Sequence, residues 1–299
     1  MKKLFSICAI LLCLNPFVHN QPINLDSLHT IWLDERQPDT VRFEAMKKIT
    51  WKGFMFSNPD TAFLLAQELN NKAFDLNNQL WQAEGLKLMG ISFYVRGKGS
   101  VALTYYKRCL TIQEKLGNKK GIASSLNNIG LIYSDYKESL TALEYYNRSL
   151  EISEEVNDTL GIANSLNNLG IIYNSQGNSQ KAIEIFTRNL ELYKTLGNQR
   201  GIANSANNIG GLYYNQKEYP NALKFFLISL EVREDLEDKN GIAMSLDNIG
   251  LLYQDMGEPM KALKFCTRGI KIKEEIDDIN GIANALTNLG IIYKKKRAV

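Results

Sequence analysis

The sequence predicts an all-α chain of antiparallel helix pairs, and three observations carry that expectation. The stretch "GIANSLNNLGIIY" at 161–173 returns as "GIASSLNNIGLIY" at 121–133, "GIANSANNIGGLY" at 201–213, "GIAMSLDNIGLLY" at 241–253 and "GIANALTNLGIIY" at 281–293. Its first glycine recurs at 121, 161, 201, 241 and 281, a period of 40, and self-similarity on that scale marks a repeat array. An alanine keeps the same period at 102, 142, 182, 222 and 262, with Ala62 one unit further back. Only six prolines interrupt 299 residues, which suits helices throughout.

The chain opens "MKKLFSICAILLCLNPFVHNQ". Lys2 and Lys3 precede an apolar run of about a dozen residues, too short to span a bilayer. This reads as a Sec-type signal peptide cut near Asn20, placing the protein in the periplasm or outside the cell. Leu12 before Cys13 and Ile7 before Cys8 argue against lipidation, which needs a small residue there. Cys109 and Cys266 then remain, on different repeats, and are expected as reduced core residues. A formal charge of +3 is too near neutral to imply nucleic acid or an anionic membrane as partner.

The organisation that follows is a signal peptide at 1–20 and a lead-in helix at 21–38. A degenerate unit at 39–78 comes next, then full units at 79–118, 119–158, 159–198, 199–238 and 239–278. An incomplete unit holding only its first helix occupies 279–299. Each unit has a helix A and a helix B. Asn118, Asp158, Asn198, Asp238 and Asp278 stand ahead of successive A helices, where such side chains cap free backbone N–H groups. Gly117 and Gly197 lie just before them, suited to a left-handed helix end. Pro220 and Pro259 fall in the first turn of helix B, where proline is tolerated. In helix B, Ala142, Leu143, Tyr146, Leu150 and Ile152 make an apolar stripe at helical spacing, and Ile183, Phe186, Leu190 and Leu223, Phe226, Leu230 repeat it. The glycines at 130, 170, 210 and 250 are expected to face the periodic alanines of helix B, so that the two backbones approach closely. That closeness offsets about 1 kcal/mol of lost helix propensity per glycine. One hairpin buries too little to stand alone, so stability belongs to the stacked array.

Leu166, Leu169, Gly170, Tyr173, Ala182 and Phe186 match the spaced pattern of the tetratricopeptide repeat, and the chain resembles that family over about residues 79–293. Residues 39–78 match weakly: Thr50 replaces the helix-A glycine and Gly53 the tyrosine. The usual unit has 34 residues. The 40-residue unit is similar to that of animal proteins linking G-protein α subunits to spindle-orientation partners. The N-terminal region resembles exported bacterial members whose array precedes a cyclase, histidine kinase or DNA-binding output. The resemblance implies a right-handed superhelical solenoid of antiparallel helix pairs, with helix A lining the concave surface.

On helix A, polar residues spaced three or four apart form one face. It comprises Asn127 and Asn128; Asn164, Asn167 and Asn168; Asn204, Asn207, Asn208 and Asn215; Asp247 and Asn248; and Asn284 and Asn288. By the resemblance this face lines the groove. An Asn side chain both donates and accepts, as a peptide backbone does, so one reading is a ladder that holds an extended chain. The other is a solvated face, or amides that tie adjacent helices together. In the units read for this face it carries no Lys or Arg, which argues against the terminal-carboxylate clamp of the family's chaperone-binding arrays.

No catalytic constellation is visible. After signal removal one histidine, His29, is left, so neither a zinc site nor a Ser-His or Cys-His dyad is supported. "RGKGS" at 96–100 and "GNKKGIASS" at 117–125 do not match phosphate-loop spacing. The expectation is a non-enzymatic, exported scaffold that binds a protein or extended peptide, with no cofactor, metal or nucleic acid. Membrane contact would come only through a segment downstream of this chain. The alternative is the extracytoplasmic sensor portion of a larger signalling protein.

Overall fold

A computed structural model of the chain describes residues 24–297, with side chains described through residue 287 and at 289–290. The expected signal peptide lies outside these residues, as do the side chains of Asn288 and of 291–297. The first helices are α1 (Leu25–Leu33) and α2 (Asp39–Lys48), which widens into a π-helical segment, Ile49–Phe54. They are followed by α3 (Pro59–Asp75), α4 (Gln79–Val95), α5 (Gly99–Lys115), α6 (Lys119–Asp135), α7 (Ser139–Glu155) and α8 (Thr159–Ser175). The remaining helices are α9 (Ser179–Thr195), α10 (Gln199–Asn215), α11 (Tyr219–Asp235), α12 (Lys239–Asp255), α13 (Pro259–Glu275) and α14 (Ile279–Arg297). The even-numbered helices are the A helices and the odd-numbered ones from α3 to α13 the B helices of an all-α repeat solenoid. Among the described residues no helix is long and apolar enough to cross a membrane.

Two compact units divide the chain, one running to Ile172 and the other from Tyr173. In the first, α3 packs on α4, α4 on α5, α5 on α6 and α6 on α7, and α1 and α2 pack on each other. In the second, α9 to α14 do the same.

The helix ends follow from local chemistry. Residue 77 has positive φ, and so does every twentieth residue after it to 277. Five of these are glycine; Asn77, Lys137, Asn157, Lys217, Glu237 and Asp277 are not. Each adopts the left-handed conformation that closes a helix. After α3, for example, Asn78 N–H donates to the Ala73 carbonyl and Asn77 N–H to that of Phe74, which satisfies the last carbonyls. The helices from α3 to α13 are therefore all 17 residues long. Asn118, Asn198, Asp238 and Asp278 cap their A helices, each accepting from the backbone N–H three residues on. The B helices α5, α7, α11 and α13 start at Lys or Glu with no side-chain cap.

The periodic alanines, from Ala62 to Ala262, are all fully buried. At Gly130, Gly210 and Gly250 the nearest neighbour of an added Cβ across the helix pair is not the alanine but the residue four beyond it, with the Ala262 carbonyl also 3.7 Å away at Gly250. A Cβ on Gly130 would stand 2.8 Å from Tyr146 Cε1, one on Gly210 2.6 Å from Phe226 Cδ1, and one on Gly250 2.6 Å from Cys266 Sγ. The glycine thus seats the side chain four residues beyond the alanine, and ring against backbone sets the A–B spacing. In the degenerate unit the glycine register holds Thr50, fully buried, whose hydroxyl turns back to the Met46 carbonyl at 2.8 Å within the π-helical turn. Cys109 and Cys266 are both free and buried, as expected.

Candidate functional site

The A helices carry the asparagine face, and the structure places its members unequally. In the first unit Asn127 and Asn168 are half-buried, Asn128 and Asn167 are buried, and Asn164 is half-buried with its Oδ1 enclosed and unbonded. In the second, Asn204, Asn207, Asn208, Asp247 and Asn248 are half-buried, while Asn215 and Asn284 are exposed.

Successive A helices are joined through these amides. Asn168 Nδ2 donates to Asn127 Oδ1 at 3.1 Å, and Asn248 Nδ2 donates to Asn207 Oδ1 at 2.8 Å. Both pairs are 41 residues apart. At the far end of the same helices the Tyr214 hydroxyl donates to Asp255 Oδ2, again 41 residues on. The asparagines therefore serve in part to tie helix to helix, and the amide groups not spent on those bonds are what a partner would meet.

The expectation of a face without basic residues is corrected by side chains arriving from helix B. The residue eight positions before Gly121, Gly161, Gly201 and Gly241 lies against that glycine at the start of the next A helix. Arg233 and Lys273 occupy this position ahead of Gly241 and Gly281. A Cβ on Gly241 would lie 2.7 Å from Arg233 Cδ, so the glycine opens that passage. Arg233 Nη1 donates to the Gly241 carbonyl at 2.8 Å and to Ser245 Oγ at 3.3 Å, while Nη2 donates to Asn204 Oδ1 at 3.2 Å. Burial lowers its pKa from the ordinary guanidinium value, with Asp238 opposing that. Lys273 Nζ lies 2.6 Å from both Asp247 oxygens. Burial pushes the Asp247 carboxyl up, against the pull of Lys273.

In the first unit the face opens into a cleft of about 290 Å³ between α2, α4 and α6, lined by the buried Trp81 and Cys109, the exposed Leu80, and Gln113 and Ser124. Lys120 stands exposed at its rim. Its wall carries a repeated charge pair, Glu44 with Lys47 and Glu84 with Lys87. Lys47 Nζ is 3.2 Å from Glu44 and 3.9 Å from Glu84, and Lys87 Nζ is 2.7 Å from Glu84. Burial alone would push the Glu84 carboxyl up; the ammonium groups of Lys87 and Lys47 outweigh it and hold the carboxyl below its ordinary range. Burial likewise opposes the Lys87 ammonium, yet Glu84 and Glu44 hold its pKa above the usual value. Trp81 stacks on Phe43 with ring centroids 5.1 Å apart, which fixes the cleft floor.

Glu84 and Lys87 were missed by the sequence reading, although the signal was there. Lys87 lies forty residues before Asn127, and Lys47 forty before that, so basic residues occupy the asparagine register in the N-terminal units. Among the described residues no group of three His, Cys, Asp or Glu side chains could hold a metal ion.

The family model described as tetratricopeptide repeat matches residues 81–155, 121–195 and 201–275, more than half of the chain. The chain belongs to the tetratricopeptide repeat family. Several solved structures share this tetratricopeptide fold at low identity. BtubC (BKLC) from P. vanneervenii is 19% identical over 74% of this chain and 93% of its own, with a TM-score of 0.67. Aspartyl phosphate phosphatase F from Bacillus subtilis is 13% identical over 91% of this chain and 76% of its own, with a TM-score of 0.61. NprR in complex with its cognate peptide NprX is 17% identical over 90% of this chain and 82% of its own, with a TM-score of 0.57. Among curated proteins no sequence matches this tetratricopeptide array.

Proposed function

We propose that the chain is a non-enzymatic scaffold that holds an extended peptide or protein segment along the exposed face of its A helices. The observation that carries this reading is the cleft between α2, α4 and α6. It lies at the register of the asparagine face and joins an apolar floor to polar walls, the composition typical of recognition sites. The peptide complex of NprR supports it as a use to which this fold is put. The activity in the name of phosphatase F is that protein's own; the non-enzymatic reading of this chain rests on the lack of a nucleophile–base pair in its sequence.

The test is selection from a phage-displayed library of random 12-residue peptides on the immobilised full chain, followed by titration of the enriched peptides. Ser124→Arg fills the cleft from an exposed position. We expect it to weaken binding by about tenfold or more while leaving the melting temperature unchanged. Equal affinity for Ser124→Arg and the parent chain would reject the cleft as the site.

Export belongs to the same proposal. The N-terminal charge and apolar run predict that protein recovered from its native compartment lacks residues 1 to about 20. Intact-mass measurement decides it, and a species that retains Met1 refutes it.

A further inference from the structure

The solvent-facing positions of a repeat array serve as controls for one another, because each B helix presents the same positions outward. In α7 the outward seam runs Leu140, Glu144, Asn147, Glu151, and in α13 the same positions read Met260, Lys264, Thr267, Lys271. All eight side chains are exposed, Leu140 at 76% and Met260 at 59%. Spacings of four, three and four residues make each set a seam of the kind one helix offers another.

Set side by side, the two seams match position by position. Leucine meets methionine, amide meets hydroxyl, and at both charged places an acid of α7 answers a base of α13. The charges stand two turns apart on each helix, about 10.5 Å along the axis, so both pairs close together when the helices run parallel. The other B helices lack this match. At the leading position α3, α5, α9 and α11 hold Asp60, Ser100, Gln180 and Pro220. In α9 the acids recur as Glu184 and Glu191, but its own Lys181 and Lys194 bind them at 3.3 Å and 2.7 Å. Among the described residues Glu144, Glu151, Lys264 and Lys271 enter no ion pair. Arg268 stands beside the basic seam and is engaged by Glu234. Carboxylates border that seam, Glu258 at one end and Glu274 and Glu275 at the other. It therefore suits a partner one helix wide and repels an extended anionic surface.

From this match we propose that copies of the chain associate through their B helices, α7 of one copy lying parallel to α13 of another. Two α7 seams would set acid on acid, and two α13 seams base on base, so the contact joins unlike faces. A contact of that kind extends into a row or closes into a ring. Exposed ion pairs are individually weak and are screened by salt, so the association is of low affinity and is governed by concentration and ionic strength. It uses none of the A face and stands whether or not a peptide binds there.

Sedimentation velocity of the full chain tests it. In about 20 mM salt the average mass should rise between about 10 μM and about 500 μM protein, and about 0.5 M salt should reverse the rise, since the screening length there falls to a few ångströms. Glu144→Lys with Glu151→Lys makes both seams basic, and Lys264→Glu with Lys271→Glu makes both acidic. Each double variant should associate about tenfold more weakly or worse. Mixing the two restores opposite signs between chains, so the mixture should associate as the parent does. Melting temperatures should not change, because all four side chains are exposed. A parent chain that stays monomeric throughout would overturn the proposal. So would parent-strength association in either double variant, or a monomeric mixture of two variants that melt like the parent. Leu140→Ser leaves every charge in place and decides the matter where a double variant melts lower: it should weaken association, and parent-strength association would overturn the contact.

Discussion

Two adjacent glycines, Gly210 and Gly211, should respond to the same substitution with opposite signs. Both lie inside α10, where alanine is the better helix former by about 1 kcal/mol. At Gly211 an added Cβ meets nothing within 4 Å, so Gly211→Ala should realise that gain in full. At Gly210 the new Cβ would stand 2.6 Å from Phe226 Cδ1 and 2.8 Å from Cε1. Carbon atoms pack best at about 3.5–4.0 Å, so the ring must retreat by roughly 1 Å. Phe226 is 3% exposed and has no solvent side to retreat to. Overpacking of this kind costs about 1–3 kcal/mol, which cancels the helix gain or exceeds it by up to about 2 kcal/mol. Thermal unfolding followed by circular dichroism separates the two, since 1 kcal/mol corresponds to about 2–4 °C in a chain of this size class. Shortening the ring with Phe226→Leu in the Gly210→Ala background should recover part of the loss relative to Phe226→Leu alone. If Gly210→Ala melts at or above Gly211→Ala, the ring-on-glycine account of the A–B spacing is wrong.

The left-handed turn residues offer a second measurement. Lys217 and Glu237 hold φ of 62° and 52°; such a conformation costs a non-glycine about 1–2 kcal/mol. Part of the gain is lost to the freer unfolded chain, so Lys217→Gly and Glu237→Gly should each stabilise by up to about 1 kcal/mol in urea titrations, and unchanged midpoints would contradict this. A third concerns acid. The folded-state pKa of Glu84 lies below its unfolded value, so its contribution to stability is present above the unfolded pKa, about 4.3, and is lost as pH falls through the folded one. Glu84→Gln should therefore melt lower than the parent near neutral pH, because Lys47 and Lys87 lose a counter-charge, and should lose less between about pH 5 and about pH 3. Parallel melting curves across that range would refute the role given to the charge pair.

The fold was legible because its signals are local and repeated. The period of 40, the caps at Asn118 and Asn198 and the buried alanines follow from one-residue chemistry read at a fixed spacing. The partner of the helix-A glycine was not, because Ala142 and Tyr146 lie on one face of helix B and sequence spacing cannot say which of them touches Gly130. The site was half legible. The asparagine face could be drawn from helical geometry, but its bonds join residues 41 apart on different helices. That pairing depends on the tilt between A helices, which no single unit encodes. Arg233 and Lys273 escaped notice for a related reason: they belong to helix B and act on helix A, Arg233 through a passage that is open because Gly241 has no side chain.

The regular spacing of the left-handed turns has a consequence for how such a chain can change length. Removing the forty residues 198–237 would join Gly197 to Asp238, and a left-handed residue followed by an Asn or Asp cap is the joint already found at Gly117–Asn118 and Glu237–Asp238. Every ring would still meet a glycine across the new seam. Removing residues 198–217 would recreate the turn equally well, but it would bring a B helix to a place built for an A helix and set Asn221 where Gly201 receives the Tyr193 ring. The chain can be copied or trimmed in even numbers of helices without inventing a contact, and an odd number is forbidden by side chains far from the splice.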